Sequence, residues 1–566
     1  MRFQSARPRA GRTIARIVEH TLNIDHPCDG RATSFARPLA APFRQCPSRP
    51  ASIGSLARMH QGIPVFRNVV YNFLSQVWFL VLPLATSPYI VRHLGVDAFG
   101  VLSLSSAIIG YLAVLDLGMG TATIKYIADA FVAKDFRAVS KVIGTSIAIY
   151  SGLGLLGTLA IQATANLIVT RLLHVPANLV SITLIVFYVS SLGFLVNMPL
   201  TVFNSIPNAL QRFDILVKQN LVLGTVAVLG QVVLLGLGYS LKALVVFNVA
   251  TSAVGICIFV LVARRLLPGV SFRPVFDGPT AKQIMRFSAL KVFSVVSGQI
   301  VFQLDKVLIA AFLPLASVSY YVVPLSLAQK IISVIPNITT AVFPAVSEFK
   351  ADKERLKDLY VRVAKGVLMA VLPITVVLIM FAEKILDFWM GAEFALHGTS
   401  TLRYLAIAFF LASFAAVPGV FVEGLGKPGI PAFFAAISAV LNLGFSLLFI
   451  PRWGIAGPAL ALIANSLITV PLFIDRVNRK VLGVRNTAFI RSGFVKPVLA
   501  AVPTWLFFAI LKPYARNLLE LGGLVVVGAG LYGVLCLLSG AVDATERKMI
   551  GEYWKTITGG GPKNAS

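Results

Sequence analysis

The chain has 566 residues, of which 57% are hydrophobic and only 13% charged, with a mean hydropathy of +0.83. That balance excludes a water-soluble globular protein and points to the bilayer as solvent. The formal charge of +27 does not point to a nucleic-acid partner, because its basic residues are sorted among the connections of a membrane topology.

Residues 1–58 stand apart. They carry ten Arg, no Lys and many Pro and Ala, without the apolar run of a secretory leader, and Glu19, Asp25 and Asp29 interrupt an organellar-leader pattern. They read as a disordered leader or as sequence upstream of a start at Met59, where "MHQGIPVFRNVVYNFL" opens the first helix. A hydrocarbon core about 30 Å thick needs roughly 20 apolar residues per helix. Runs of that length predict spans over 68–91, 99–123, 142–163, 179–203, 215–237, 241–262 and 287–312. They continue over 318–343, 361–381, 402–422, 430–450, 454–474, 494–511 and 521–538. The expected fold is an all-α polytopic membrane protein of about fourteen helices. A β-barrel is excluded, since its strands alternate over about ten residues.

With the segment before the first span inside, twenty-nine Lys and Arg fall on inside connections and eight on outside ones. This bias places both termini in the cytoplasm. Sliding the chain by 219 residues sets "HLGVDAFGVLSLSSAIIGYLAVLDLGMGTATIKYIA" (93–128) on "FLPLASVSYYVVPLSLAQKIISVIPNITTAVFPAVS" (312–347), with the same helix–loop–helix pattern. The chain therefore divides into a leader (1–58), a six-helix bundle (59–270), a second six-helix bundle (271–480) and two further helices with a tail (481–566). An even number of spans per half makes the repeats parallel, with a binding site expected between them near the midplane.

Polar residues within the spans fall on helical faces. The seventh span carries Ser288, Gln299, Gln303 and Lys306 on one arc, and the eighth carries Ser319, Ser326, Lys330, Ser333 and Asn337. Asn68, Asn72, Ser75, Gln76 and Thr86 share a face of the first. Such stripes must face protein or water; for Ser and Asn, hydrogen-bond glue between helices serves as well as a cavity. Lysines need a counter-ion, and Lys330, near mid-helix, has Asp305 or a phosphate-bearing ligand as candidates. Gly118 and Gly120 can loosen the helix between Asp116 and Lys125; Asp116 is expected to face a cavity or to be buried against another half-helix, whereas Lys125 is expected to pair with Asp129 at the helix end.

No catalytic constellation is present, so the chain is not read as an enzyme. The "GLGLLG" at 152–157 lies inside an apolar span and predicts close helix packing rather than dinucleotide binding. Six His and four scattered Cys form no metal pattern, and there is no nucleotide-binding P-loop.

"LGVDAFGVLSLSSAIIGYLAVLDLGMGTATIKYIADA" resembles the early-helix signature of the bacterial polysaccharide (O-antigen-type) flippases, within the superfamily of multidrug, oligosaccharidyl-lipid and polysaccharide exporters. "QLDKVLIAAFLPLASVSYYVVPLSLAQKI", "VFPAVSEF", "FWMGAEFA" and "GLGKPGIPA" followed by "IPRWGIAGPALALIANS" are similar to it in order and spacing, over about 62–480. The resemblance implies two bundles around a cavity open alternately to each side of the bacterial inner membrane. It implies an undecaprenyl-diphosphate-linked oligosaccharide as cargo, coupling by a proton or sodium ion with no other cofactor, and a polymerase or export machinery as partner. The expected cavity residues are then Lys306, Lys330, Gln299, Gln303, Ser326, Ser333, Asn337 and Asn72, with Asp116 and Asp305 at an ion-coupling site or gate. A cation-coupled multidrug antiporter and a lipid II flippase are the alternatives. A lysine-bearing cavity disfavours the first, and arginines confined to the helix ends, Arg67 and Arg92, disfavour the second.

Overall fold

The computed structural model describes residues 65–543, apart from 117 and 174, and residue 547. The expectation for 1–58 lies outside the described residues. Among those residues every regular element is helical. Eleven segments are long and apolar enough to cross a membrane. One of them, Gly429–Leu482, folds as two helices, Gly429–Trp453 and Gly457–Val477, turned at Gly454 with φ 56°. The helices Val65–Leu94 and Gly278–Phe312, 30 and 35 residues long, are not among the eleven. Length and composition thus count eleven spans where the sequence reading counts fourteen.

Local signals place the helix starts. Asp135 accepts the Ala138 N–H at 2.9 Å to open Phe136–Leu167, and Asp277 does the same for Thr280 at the head of Gly278–Phe312. Asp352 caps Lys353–Met380 through the Arg355 N–H. Each satisfies a donor that the first helical turn leaves unpaired.

The same packing pairs occur in both halves. In the first, Val65–Leu94 lies on Phe213–Gly236, Phe136–Leu167 on Ala177–Ala209, and Ala177–Ala209 on Leu241–Leu266. In the second, Gly278–Phe312 lies on Gly429–Trp453, Lys353–Met380 on Ala392–Ser413, and Ala392–Ser413 on Gly457–Val477. This is the parallel pseudo-repeat. Two of the three 152–157 glycines serve packing: Gly154 abuts Met198 and Leu195, and a Cβ at Gly157 would lie 2.6 Å from the Phe194 ring, whereas nothing lies within 4 Å of a Cβ at Gly152.

Two expected spans are not continuous. The 99–123 span breaks into Val96–Leu112, a single tight turn at Ala113–Asp116, and Met119–Val132, with Gly118 between them at φ 72°. Glycine takes this left-handed conformation without the Cβ clash that deters other residues. The 318–343 span breaks into Ala316–Ala328, Lys330–Ser333 and Ile335–Glu348. Pro336 has no N–H to give the Ile332 carbonyl, so the ladder fails there. By the offset of 219 residues these are the equivalent helices of the two halves, and both are interrupted.

The halves meet through these helices. Val96–Leu112 packs against Gly278–Phe312 and Ala316–Ala328. At the end that the charge pattern places outside, Ser319 Oγ donates to the Val96 carbonyl at 2.6 Å and Trp389 Nε1 to the Leu84 carbonyl at 2.6 Å. At the opposite end Met119–Val132 lies on Gly278–Phe312.

Candidate functional site

The break in the eighth span positions Lys330 at the start of its short middle segment. Its side chain is half-buried, and among the described residues its ammonium has no hydrogen-bond or ion-pair partner. Ser326, Ser333 and Asn337 fall on the same side at helical spacing; Ser333 and Asn337 are exposed and Ser326 is half-buried. The two hydroxyls donate to their own helix, Ser326 to Val323 O at 2.7 Å and Ser333 to Lys330 O at 2.9 Å, which leaves each oxygen able to accept. Ser319 belongs instead to the contact between halves, fully buried on the Val96 carbonyl.

On Gly278–Phe312, Lys306 Nζ donates to Gln303 Oε1 at 2.7 Å. Gln303 in turn lies against Gly110 of the first half, where a Cβ would come within 3.1 Å of its amide nitrogen. Gln299 is half-buried on the same helix, and Ser288 is buried with its hydroxyl on Ile284 O. The side chains of Asn72, Asn68, Ser75 and Gln76 lie outside the described residues; Thr86 bonds its own helix at Leu82 O.

Asp305 is not the counter-ion of Lys330. It turns toward the Gly429–Trp453 helix, 2% exposed, and accepts the Tyr321 hydroxyl on Oδ2 at 2.7 Å. Asn442 and Ser446 face the carboxyl. Asp305 Oδ1, both polar atoms of the Asn442 side chain and Ser446 Oγ are all buried without a hydrogen-bond partner. Leaving one such group unpaired costs on the order of 1–3 kcal/mol. Four such atoms, one of them the carboxylate's own Oδ1, lie together in this cluster. Sequence reasoning missed Asn442 and Ser446, although two polar residues four apart in "AVLNLGFSLLF" share a helix face.

Asp116 is half-buried against the start of the following half-helix. It accepts the Tyr150 hydroxyl, and its Oδ1 also takes the Gly120 N–H at 3.3 Å, so it holds the start of Met119–Val132 and ties the break to the neighbouring helix. Lys125 does not pair with Asp129. Its ammonium sits 4.9 Å from the centre of the Phe287 ring across the contact between halves, a cation–π arrangement that holds the charge at an aromatic face.

Each half holds a cavity lined by its second, fourth and sixth spans, joined in the second half by the fifth, Gly429–Trp453. That of the first half, about 230 Å³, is lined by Ser105, Ser106, Ser190, Asn197, Asn248 and Ser252 among others. That of the second, about 500 Å³, is walled mainly by apolar residues such as Phe409, Phe434, Leu462, Val470 and Phe473, with Asn465 and five hydroxyl residues, Thr339, Ser413, Ser438, Ser466 and Thr469, among them. Neither lining contains a charged residue.

Comparisons with known proteins agree with this architecture. A relative from Shigella flexneri, named "Putative O-antigen transporter", is 22% identical over 415 residues, covering 70% of this chain and 94% of its own length. The solved lipid II flippase MurJ in an inward closed conformation superposes with a TM-score of 0.67 at 14% identity, over 84% of this chain and 99% of MurJ. An inward-facing multidrug resistance MATE family transporter superposes at 0.59 with 16% identity, over 75% of this chain and 97% of that one. At such identities the two structures speak for the fold alone. The polysaccharide biosynthesis protein family matches residues 89–396, more than half of the chain. The chain belongs to that family, as a multi-pass membrane transporter of the polysaccharide flippase type.

Proposed function

We propose that the protein moves undecaprenyl-diphosphate-linked oligosaccharides from the cytoplasmic to the periplasmic leaflet of the bacterial inner membrane, with both termini cytoplasmic. Alternating access would come from rocking of the halves about their contact. The observation that carries this reading is Lys330. An ammonium half-buried within a span, with no partner among the described residues, costs several kcal/mol unless an anion or water reaches it. A diphosphate is such an anion, and charge-assisted bonds to phosphate gain strength in a low-dielectric cleft. Ser333, Asn337 and Gln303 then offer hydrogen bonds to sugar hydroxyls, and Lys306, held by Gln303, is a second cation for the phosphates. The family match and the name of the Shigella flexneri relative support the same cargo class.

Coupling to a proton or sodium gradient is assigned to Asp305. Its orphaned Oδ1, the Asn442 amide oxygen and Ser446 Oγ form an all-oxygen donor set with one formal negative charge. That set suits a hard monovalent cation, or a proton on the carboxylate. Asp116 shapes the hinge of the equivalent helix in the first half.

The test uses cells lacking their own oligosaccharide flippase, expressing wild type, Lys330→Ala or Lys330→Arg at matched membrane abundance. Restored surface polysaccharide with wild type, loss with Lys330→Ala and partial function with Lys330→Arg is the expected result. Equal restoration by Lys330→Ala overturns the anion-binding role. Wild type that restores drug resistance or lipid II export instead overturns the cargo.

A further inference from the structure

The connection between the two halves, residues 267–277, crosses the inner end of the first bundle as a fastened strap. Ser271 N donates to Ser140 Oγ at 3.1 Å, Val275 N to the Gly144 carbonyl at 3.2 Å, and Asp277 N to Thr145 Oγ1 at 3.2 Å. Lys141 Nζ stands 3.5 Å from Asp277 Oδ1. The chain passes so close that a Cβ at Gly144 would be 2.7 Å from the Arg273 carbonyl oxygen. Beside the strap is a cavity of about 380 Å³, lined by the exposed Arg264 and Arg273 together with Leu267 and Gly269–Phe272.

Two guanidiniums line this cavity, and no acidic residue does. Among the described residues neither guanidinium has an ion-pair or hydrogen-bond partner. The nearby carboxylate of Asp277 is engaged by Thr280 and Lys141. Next to Arg273 on the strap, Val275 and Phe276 are 56% and 69% exposed. The cavity lies where the Leu241–Leu266 span ends and the strap to Gly278–Phe312 begins, so at the bilayer surface. Unpaired arginines for a phosphate, with bare apolar side chains alongside for a hydrocarbon region, match one amphiphile.

We propose that this cavity holds the phosphate of an anionic phospholipid from the adjoining leaflet, and that the bound lipid fastens the strap between the halves. The inference is independent of the transported cargo. It rests on the Arg264–Arg273 cavity, which no part of the transport reading uses.

The experiment takes the full chain in nanodiscs of phosphatidylcholine alone or mixed with phosphatidylglycerol. Retained lipids are counted by native mass spectrometry, and amide exchange of residues 267–277 is followed. Wild type is expected to retain phosphatidylglycerol selectively and to protect the strap in its presence. Arg264→Gln/Arg273→Gln weakens that retention roughly ten-fold, whereas Arg264→Lys/Arg273→Lys keeps most of it. Arg265→Gln, which removes a neighbouring charge outside the cavity, leaves retention unchanged. Equal loss with Arg265→Gln shows only a general basic surface and overturns the site. So does undiminished retention in the double Gln variant. Strap protection by inorganic phosphate in detergent, equal to that by the lipid, identifies a free anion as the ligand and overturns the lipid assignment.

Discussion

The two halves hold their cavities at equivalent places but fill the walls differently. The 219-residue offset sets Ser190 on Phe409, Gly193 on Ala412 and Asn197 on Ala416, and these are wall positions in both. In the first half Ser105 Oγ donates to Ser190 Oγ at 2.9 Å and Gln231 Nε2 to Asn248 Oδ1 at 3.1 Å, so its wall is a hydrogen-bonding surface. In the second the wall is mostly hydrocarbon and aromatic, with the Asn465 amide donating to Ser438 Oγ at 2.7 Å. The broken helices differ in the same way. The first half breaks at Gly118 and secures the break with an aspartate, whereas the second breaks near Pro336 and leaves a lysine without a partner among the described residues. One backbone plan, duplicated, therefore supports a first half whose break and cavity wall are hydrogen-bonded, although Gln219 there is buried without a hydrogen-bond partner among the described residues, and a second half whose break carries Lys330. The second half is where ligand and ion are expected to act.

The largest effect that would break this contrast concerns the two charges. Lys330→Ala is expected to lower transport at least ten-fold, about 1.4 kcal/mol or more of substrate interaction. Asp116→Asn is expected to cost mainly stability, because its partners are Tyr150 and a backbone N–H. Transport of radiolabelled or fluorescent lipid-linked sugar into proteoliposomes, beside thermal melting, separates the two. The reverse pattern would exchange the roles assigned to the halves.

Next in size is the orphaned cluster. Asp305→Asn is expected to abolish the dependence of transport on an imposed ion gradient while leaving substrate binding within about two-fold. Asn442→Leu carries a sharper sign: it removes two unpaired buried atoms and is expected to raise stability by about 1 kcal/mol while it weakens ion dependence. A stabilised variant with normal ion dependence would make the cluster a packing defect rather than a site.

A smaller effect is expected from exchanging the wall residues. Ala412→Leu fills open space in the second half and is expected to change stability by less than about 1.5 kcal/mol. Gly193→Leu intrudes on Val249, which already lies 3.0 Å from an added Cβ, and is expected to destabilise by about 1–3 kcal/mol. Melting temperatures of the purified variants decide it. The smallest effect is at the strap. Thr280's hydroxyl and N–H, with Lys141 adding to them, hold the Asp277 carboxyl below its ordinary value. A depressed carboxylate contributes fully above its unfolded value near ~4 and is lost as pH falls through the folded one. Amide protection of the strap should therefore be flat from neutral pH to about 5 and decline only below ~4.

Much of the fold was legible in the residues because the bilayer imposes simple conditions. A span needs a set length of apolar residues, and its backbone must bond internally, so hydropathy alone marked the helices. Gly118 and Gly120 already signalled a loosened helix near Asp116. The spacing of Ser326, Lys330, Ser333 and Asn337 was visible in the sequence, but the breaks that divide them among three helical segments were not.

What the sequence by itself determined, then, is the all-helical membrane architecture, the repeat and the faces of individual helices. Only the tertiary structure decided the partners. Asp305 chose Tyr321 and the Asn442–Ser446 face over Lys330, Lys125 chose the Phe287 ring over Asp129, and the 267–277 connection lay down on the end of the first bundle. Each choice turns on how neighbouring helices are rotated and at what depth they meet. Those quantities are set by close packing of side chains far apart in the chain, which local composition and period do not encode.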